Sequence, residues 1–279
     1  MSSLPGVLKA VKKNGAVYYR ASITHKNKHI SLGSYSSENS ANQAYLTAGE
    51  ILHDSSYHIE GYDSGQTLTF EKWVVLINLR DSGMYFKNPI YLKNRYFIYY
   101  INKKILLKFD IDDLFYYAHH KIMKRGGHLF VSDYGMQVTI LSRYGIKNYA
   151  IAGRDYRFVN GDNTDYRYGN IEIINRYHGV TKSFRKGFPI YTAKIHINGD
   201  YIIGRYATDI EAAIAYNKAA RLMREKGIAK EFPENYISEL DEIEYARLYH
   251  IVRISKKLRN YTSAPTTRPA VDTNQDGGK

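Results

Sequence analysis

Two stretches of this chain carry the same order of apolar and polar positions. Gly6-Val7, Ala21-Ser22-Ile23 and Leu32-Gly33-Ser34-Tyr35 mark three short strand patterns, and Gly179-Val180, Ala193-Lys194-Ile195 and Ile203-Gly204-Arg205-Tyr206 repeat them. Period-two alternation is the mark of half-buried strands. Turns are predicted at Lys26-Asn27-Lys28 and at Asn198-Gly199-Asp200, since Asn-Gly between alternating strands is a strong hairpin signal. The period then changes. Ala41, Tyr45, Ala48 and Leu52, like Ala212, Tyr216, Ala219 and Met223, recur at intervals of four, three and four, the spacing of one helix face. Thr208 followed by Glu211 fits a capping box. The pattern predicts an α+β chain with two small modules, each a three-stranded antiparallel sheet backed by one helix.

Alternation also divides each sheet into two faces. With Ala193, Ile195, Tyr201 and Ile203 turned to the helix, Thr192, Lys194 and His196 point outward; the same parity exposes Arg20, Ser22, Thr24, His29 and Ser31 in the first copy. Those outward faces are the candidate functional surfaces. Charge says what they would meet. The formal net charge is +13, with 40 Lys and Arg against 27 Asp and Glu, and clustered cations are matched to polyanions through counterion release. Residues 176–230 hold eleven Lys and Arg against four Asp and Glu, and residues 1–53 hold six against two, so the second copy is expected to grip phosphate harder. The absence of cysteine excludes a disulfide framework and a Cys-rich zinc site. Apolar runs such as Phe97–Ile101 are too short to cross a bilayer, and residues 1–20 lack a signal-peptide core. The expectation is a soluble, cytoplasmic, nucleoid-associated protein with no membrane partner. The 28 tyrosines fit the drifted composition of an AT-rich gene, so only those at repeated positions carry weight.

The run Gly-Val, Ala-x-Ile, apolar-Gly-x-aromatic and Thr-x-x-Glu-Ala-Ala-x-Ala-Tyr resembles the Apetala-two/ethylene-response-factor DNA-binding domain, closely over 177–232 and more weakly over 5–52. The resemblance implies a sheet lying in the major groove of double-stranded DNA. It places base and phosphate contacts at His178, Lys182, Arg185, Lys186, Lys194 and His196, with a longer loop over 182–186. Thr192, His196 and Ile202 stand where the family commonly has Arg or Trp, so the family's preferred DNA sequence does not carry over.

Residues 54–175 match neither copy. Trp73–Leu79 and Tyr96–Phe109 are predicted as strands, the latter a hairpin about Asn102-Lys103-Lys104, followed by short strands over 126–151. The run Arg157-Phe158-Val159-Asn160-Gly161-Asp162, continuing through Asp165, Tyr166 and Arg167 to Asn170-Ile171, is similar to the core of HNH homing endonucleases, which implies a ββα unit whose helix begins near Arg167. Hydrolysis of a phosphodiester there needs a general base and oxygen ligands for a divalent metal. The positions that would supply them hold Arg157 and Phe158, Tyr166 replaces the asparagine that orients the base, and only Asn170 remains. The expectation is a degenerate nuclease domain with no catalytic residues, metal or cofactor. The alternative is an active HNH nickase using Mg, with His119, His120 or His128 substituting in space.

Ser238 to about Arg259 is predicted as one helix, acidic early and basic late, a polarity that the helix dipole accounts for, with a DNA-backbone or dimer contact as the alternative. Residues 262–279 are predicted as a disordered tail. The chain thus divides into modules at 1–53 and 176–237, a central domain at 54–175 and a C-terminal helix at 238–261. The expected function is a sequence-selective DNA-binding protein, a transcriptional regulator derived from a bacterial or phage mobile-element endonuclease, acting as a monomer on an asymmetric site. A second alternative is an architectural protein that bends DNA.

Overall fold

The computed structural model describes residues 4–262; the tail expected over 262–279 lies almost wholly outside them. The described residues form two compact units, 4–148 with 157–172, and 149–156 with 173–262. The first sheet module and most of the central segment therefore share one unit.

In the first unit, β1 (Val7–Val11), β2 (Val17–His25) and β3 (Lys28–Tyr35) form an antiparallel sheet in that order, backed by α1 (Glu38–His53). Lys26 and Asn27 both take positive φ, 46° and 63°, which makes the β2–β3 connection a two-residue turn of the type that matches strand twist. Ser37 caps α1 by accepting a hydrogen bond from the Ser40 amide. Ala41, Ala44 and Ala48 are buried, and their small side chains let α1 lie against Ala21, Ile30 and Leu32 of the sheet.

The same apolar core takes in α2 (Phe70–Ser82), which corrects the strand expected over Trp73–Leu79. All seven of those residues are buried, and a helix buried on every side gives the same unbroken apolar run as an interior strand. The ends decide the matter: Thr69 accepts from the Lys72 amide, and Gly83 closes the helix at φ 72°.

The Asn102 hairpin is present, with β4 (Ile90–Leu92), β5 (Tyr96–Tyr100) and β6 (Leu106–Asp110) forming one sheet. After α3 (Leu114–His119), β7 (Met123–Arg125), β8 (His128–Asp133) and β9 (Met136–Thr139) form another. The expected strands continue only to Thr139, where a 3-10 turn over Ile140–Tyr144 begins. Two short strands follow, β10 (Tyr156–Phe158) and β11 (Ile171–Ile173). The helix expected from Arg167 is a single 3-10 turn, Tyr168–Asn170.

In the second unit, β12 (Val180–Arg185), β13 (Phe188–His196) and β14 (Asp200–Tyr206) repeat the first sheet, and α4 (Asp209–Glu225) repeats α1. The Thr208 side chain accepts from the Glu211 amide while the Glu211 carboxylate accepts from the Thr208 amide, the complete capping box. The expected C-terminal helix is broken in two, α5 (Glu242–Ile251) and α6 (Lys256–Arg259). The break is a packing effect. Val252, Ile254 and Leu258 enter the module's core, and the Ser255 amide donates to the Ile203 carbonyl at 2.8 Å. Ile243 and Ile251 of α5 are exposed.

Candidate nucleic-acid interface

Both sheets break strict alternation at the same place. Ala21 pairs with Gly33 but Ser22 with Ser31, and Ala193 pairs with Gly204 but Lys194 with Ile202. Each third strand therefore carries one extra residue, Leu32 or Ile203, a β-bulge at the apolar-Gly pair. The bulge inverts parity downstream. Simple alternation from Ile203 would turn Arg205 toward the helix, whereas the register sets Arg205 opposite Thr192 on the outer face and Tyr206 opposite Tyr191 on the inner one. Ser34, opposite Arg20, joins the outer face of the first module in the same way.

A second shared device fixes the entry to each sheet. Gly6 and Gly179 both have φ 72°, and a Cβ on either would lie within 2.1–2.3 Å of the ring of Tyr45 or Tyr216. At Gly179 it would also meet the Lys194 carbonyl at 2.6 Å. Only glycine lets the helix tyrosine lie on the backbone there. In the second module a polar clasp reinforces this: buried Asn217 exchanges hydrogen bonds with the backbone of Asn235, whose side chain bonds both the amide and the carbonyl of His178.

The outer face of the second module comprises Arg185 on β12, Thr192, Lys194 and His196 on β13, and Arg205 on β14, with Thr181 beside Thr192. Lys194, His196 and Arg205 are exposed, while Ala193 and Ile195 beneath them are at most 1% exposed, as the alternation predicted. His196 is paired: its Nδ1 lies 2.7 Å from Oδ1 of Asp200 across the hairpin. That contact holds the Asp200 carboxyl below its ordinary range, helped by Lys194 and Lys230. Lys194, Arg185 and Arg205 have no carboxylate partner among the described residues.

Two expected contacts sit elsewhere. Lys182 is not in a loop but on β12, opposite Tyr191 on the helix-facing side, with its ammonium 5.9 Å from the Tyr191 ring centre and 5.5 Å from that of Phe184. The longer loop expected over 182–186 is instead strand followed by a tight turn, in which Lys186 and Gly187 take φ 52° and 84°. His178 is half-buried between the rings of Tyr149 and Tyr216, centre to centre 4.4 and 5.0 Å, and burial first, then Arg154, lowers its pKa below 6.5. With Lys194 and His196 it lines a cavity of about 380 Å³. Arg185 and Lys186 form the hairpin tip, flanked by Phe184 and Phe188, which are 70% and 74% exposed.

The first module's outer face is poorer in charge. Arg20, Ser22, Thr24, His29 and Ser31 share it, with Leu8, Ala10 and Tyr18 alongside. Arg20 donates there to the Tyr18 hydroxyl at 2.7 Å, and the Lys12 ammonium lies 6.0 Å from the Tyr18 ring centre.

The nuclease-like positions are occupied by structural contacts. Arg157 pairs with Glu172 at 2.7 Å, and Phe158 packs edge-on against Tyr166, whose carbonyl accepts from the Tyr144 hydroxyl. Asn170 uses both ends of its amide, accepting from the Asn160 amide and donating to the Asp165 carbonyl, each at 2.8 Å. Asp165 is fully buried and held by Arg167 at 2.6 Å. Both ends of the Asn170 amide are thus taken up within the loop, and the Arg157 guanidinium is held by Glu172. His120 sits 3.5 Å from Asp133, and both His119 and His120 turn Nδ1 to backbone carbonyls of α3. Comparison with protein-family models, curated proteins and solved structures returns no match to this chain.

Proposed function

We propose that this chain is a non-catalytic, sequence-selective double-stranded DNA-binding protein that reads the major groove with its two sheet modules, as a transcriptional regulator derived from a mobile-element nuclease. The observation that carries this reading is the outer face of the second module, where Arg185, Lys194 and Arg205 stand without carboxylate partners among the described residues, beside Thr181 and Thr192 on one sheet. A sheet of this size enters the major groove, cations there meet phosphates and guanine edges, and hydroxyls take either base. Two unlike faces on one chain call for a monomer on a long site without palindromy. No helix among the described residues is long and apolar enough to cross a membrane, which is compatible with a nucleoid location.

Selection of bound fragments from a random duplex pool by the full chain tests the reading, with a single asymmetric motif as the expected result. Replacing Lys194 and His196 with alanine should abolish the preference more than the total affinity; an unaltered motif overturns the assignment. One observation favours the architectural alternative. Phe184 and Phe188 stand exposed at a basic hairpin tip, where apolar side chains can enter a base step and bend the duplex. Near-equal affinity for selected and unselected duplexes at one salt concentration would favour that role.

A further inference from the structure

Four of the nine described arginines of the second unit are paired with carboxylates. Arg154 pairs with Asp155, Arg176 with Asp209 and Glu239, and Arg221 and Arg224 with Glu234. The exceptions among the described residues are Arg185 and Arg205 on the open sheet, Arg247 on the exposed side of α5, and Arg253 and Arg259. The last two belong together. With Lys218 and His250 they line a cavity of about 260 Å³ floored by Val252 and Ile254, and no acidic residue among those described lines it.

The dipole of a single C-terminal helix does not account for these cations, because α5 ends at Ile251 and Arg253 lies beyond it. The free carbonyls at that end already have a cation: the Lys218 ammonium donates to the carbonyls of Tyr249 and Val252 at 2.7 and 3.0 Å. An ammonium has three N–H donors, so one remains for a ligand. Arg253 and Arg259 are exposed, and neither guanidinium has an ion-pair partner among the described residues. A half-buried lysine with a spare donor, two arginine forks and an imidazole around a small cavity suit a tetrahedral phosphate oxyanion, because guanidinium matches phosphate oxygens two at a time.

We propose that the cavity bounded by Lys218, His250, Arg253 and Arg259 is a phosphate-binding site. Two sources offer that group, the backbone of a nucleic acid and a small phosphorylated molecule. The site stands on different residues from the sheet face and is independent of the DNA reading.

The full chain and its Arg253→Ala, Arg259→Ala variant are titrated calorimetrically with inorganic phosphate, and their affinity for a short mixed-sequence DNA duplex is followed against salt. A Lys194→Ala, Arg205→Ala variant serves as the reference for the sheet face, and circular dichroism checks that both variants are folded. Saturable phosphate binding is expected in the parent and the sheet-face variant and lost in the cavity variant. If the source is DNA backbone, the cavity variant also lowers the slope of log affinity against log salt by about one, since each neutralised phosphate contributes about 0.9. Phosphate binding lost with an unchanged slope assigns the cavity to a small phosphorylated molecule. If the parent binds phosphate but no duplex, the cavity assignment stands and the DNA reading falls. If the cavity variant matches the parent in both titrations, the cavity assignment is wrong, whatever the sheet-face variant does.

Discussion

The two sheet modules share a scaffold and differ in what it presents. Both have the glycine under a helix tyrosine, the bulge at an apolar-Gly pair and a stripe of alanines against the sheet. On the outer faces the second sets Arg185, Lys194 and Arg205 where the first sets one arginine among hydroxyls, Leu8 and Tyr18. The buried half of a module is constrained by close packing, and the solvent half is not. Shared core and divergent surface are what two copies with different targets would retain and lose.

Breaking the scaffold should have the largest effect. Gly179→Ala is expected to cost about 3 kcal/mol, from a left-handed backbone and an overpacked ring together. Gly6→Ala should cost less, because the three atoms nearest its new methyl all belong to the half-buried Tyr45 side chain, whereas one of the three nearest at Gly179 is backbone. Urea unfolding of each variant measures the difference, and equal losses would show that the clash at Lys194 relaxes.

Next come the faces. Lys194→Ala with Arg205→Ala should weaken duplex binding about 30-fold, taking about 1 kcal/mol for each cation, and Arg20→Ala about fivefold. Fluorescence anisotropy with the selected duplex compares them; a greater loss from Arg20 reverses the assignment of the stronger face. Helix caps sharpen the contrast further. Thr208→Ala should cost about 1 kcal/mol and Ser37→Ala less, since only Thr208 belongs to a reciprocal box.

The smallest effect is a pH dependence that arises beside Gly179 and has no counterpart beside Gly6. His178 is held neutral, its folded pKa below the unfolded 6.5, so on acidification the unfolded chain takes up the proton first and stability falls below about pH 6.5. The first module has Pro5 before its glycine and no titrating group there. His178→Gln should flatten the unfolding midpoint between pH 7.5 and 5.5; a curve unchanged by the substitution would remove His178 as its cause.

Much of this was legible in the residues. Alternation at Ala193 and Ile195 placed Lys194 and His196 outward, and the alanine stripes marked both helices. Strict alternation then missed Arg205, because a bulge is a two-against-one pairing that no period reveals, although the glycine beside Ile203 is its one visible sign. Trp73–Leu79 misled for a related reason, since burial on all sides erases periodicity and only Thr69 and Gly83 distinguished helix from strand. The break after Ile251 lay beyond local pattern, because it depends on Ser255 reaching β14 and on Val252 and Leu258 joining a distant core.

The matched bulges have one more implication. Since both hairpins slip phase at the same pairing step, β2–β3 and β13–β14 are interchangeable cassettes: a transplant between them preserves which residues look inward. Recombination within such a gene could exchange the outer faces while leaving each hydrophobic interior intact.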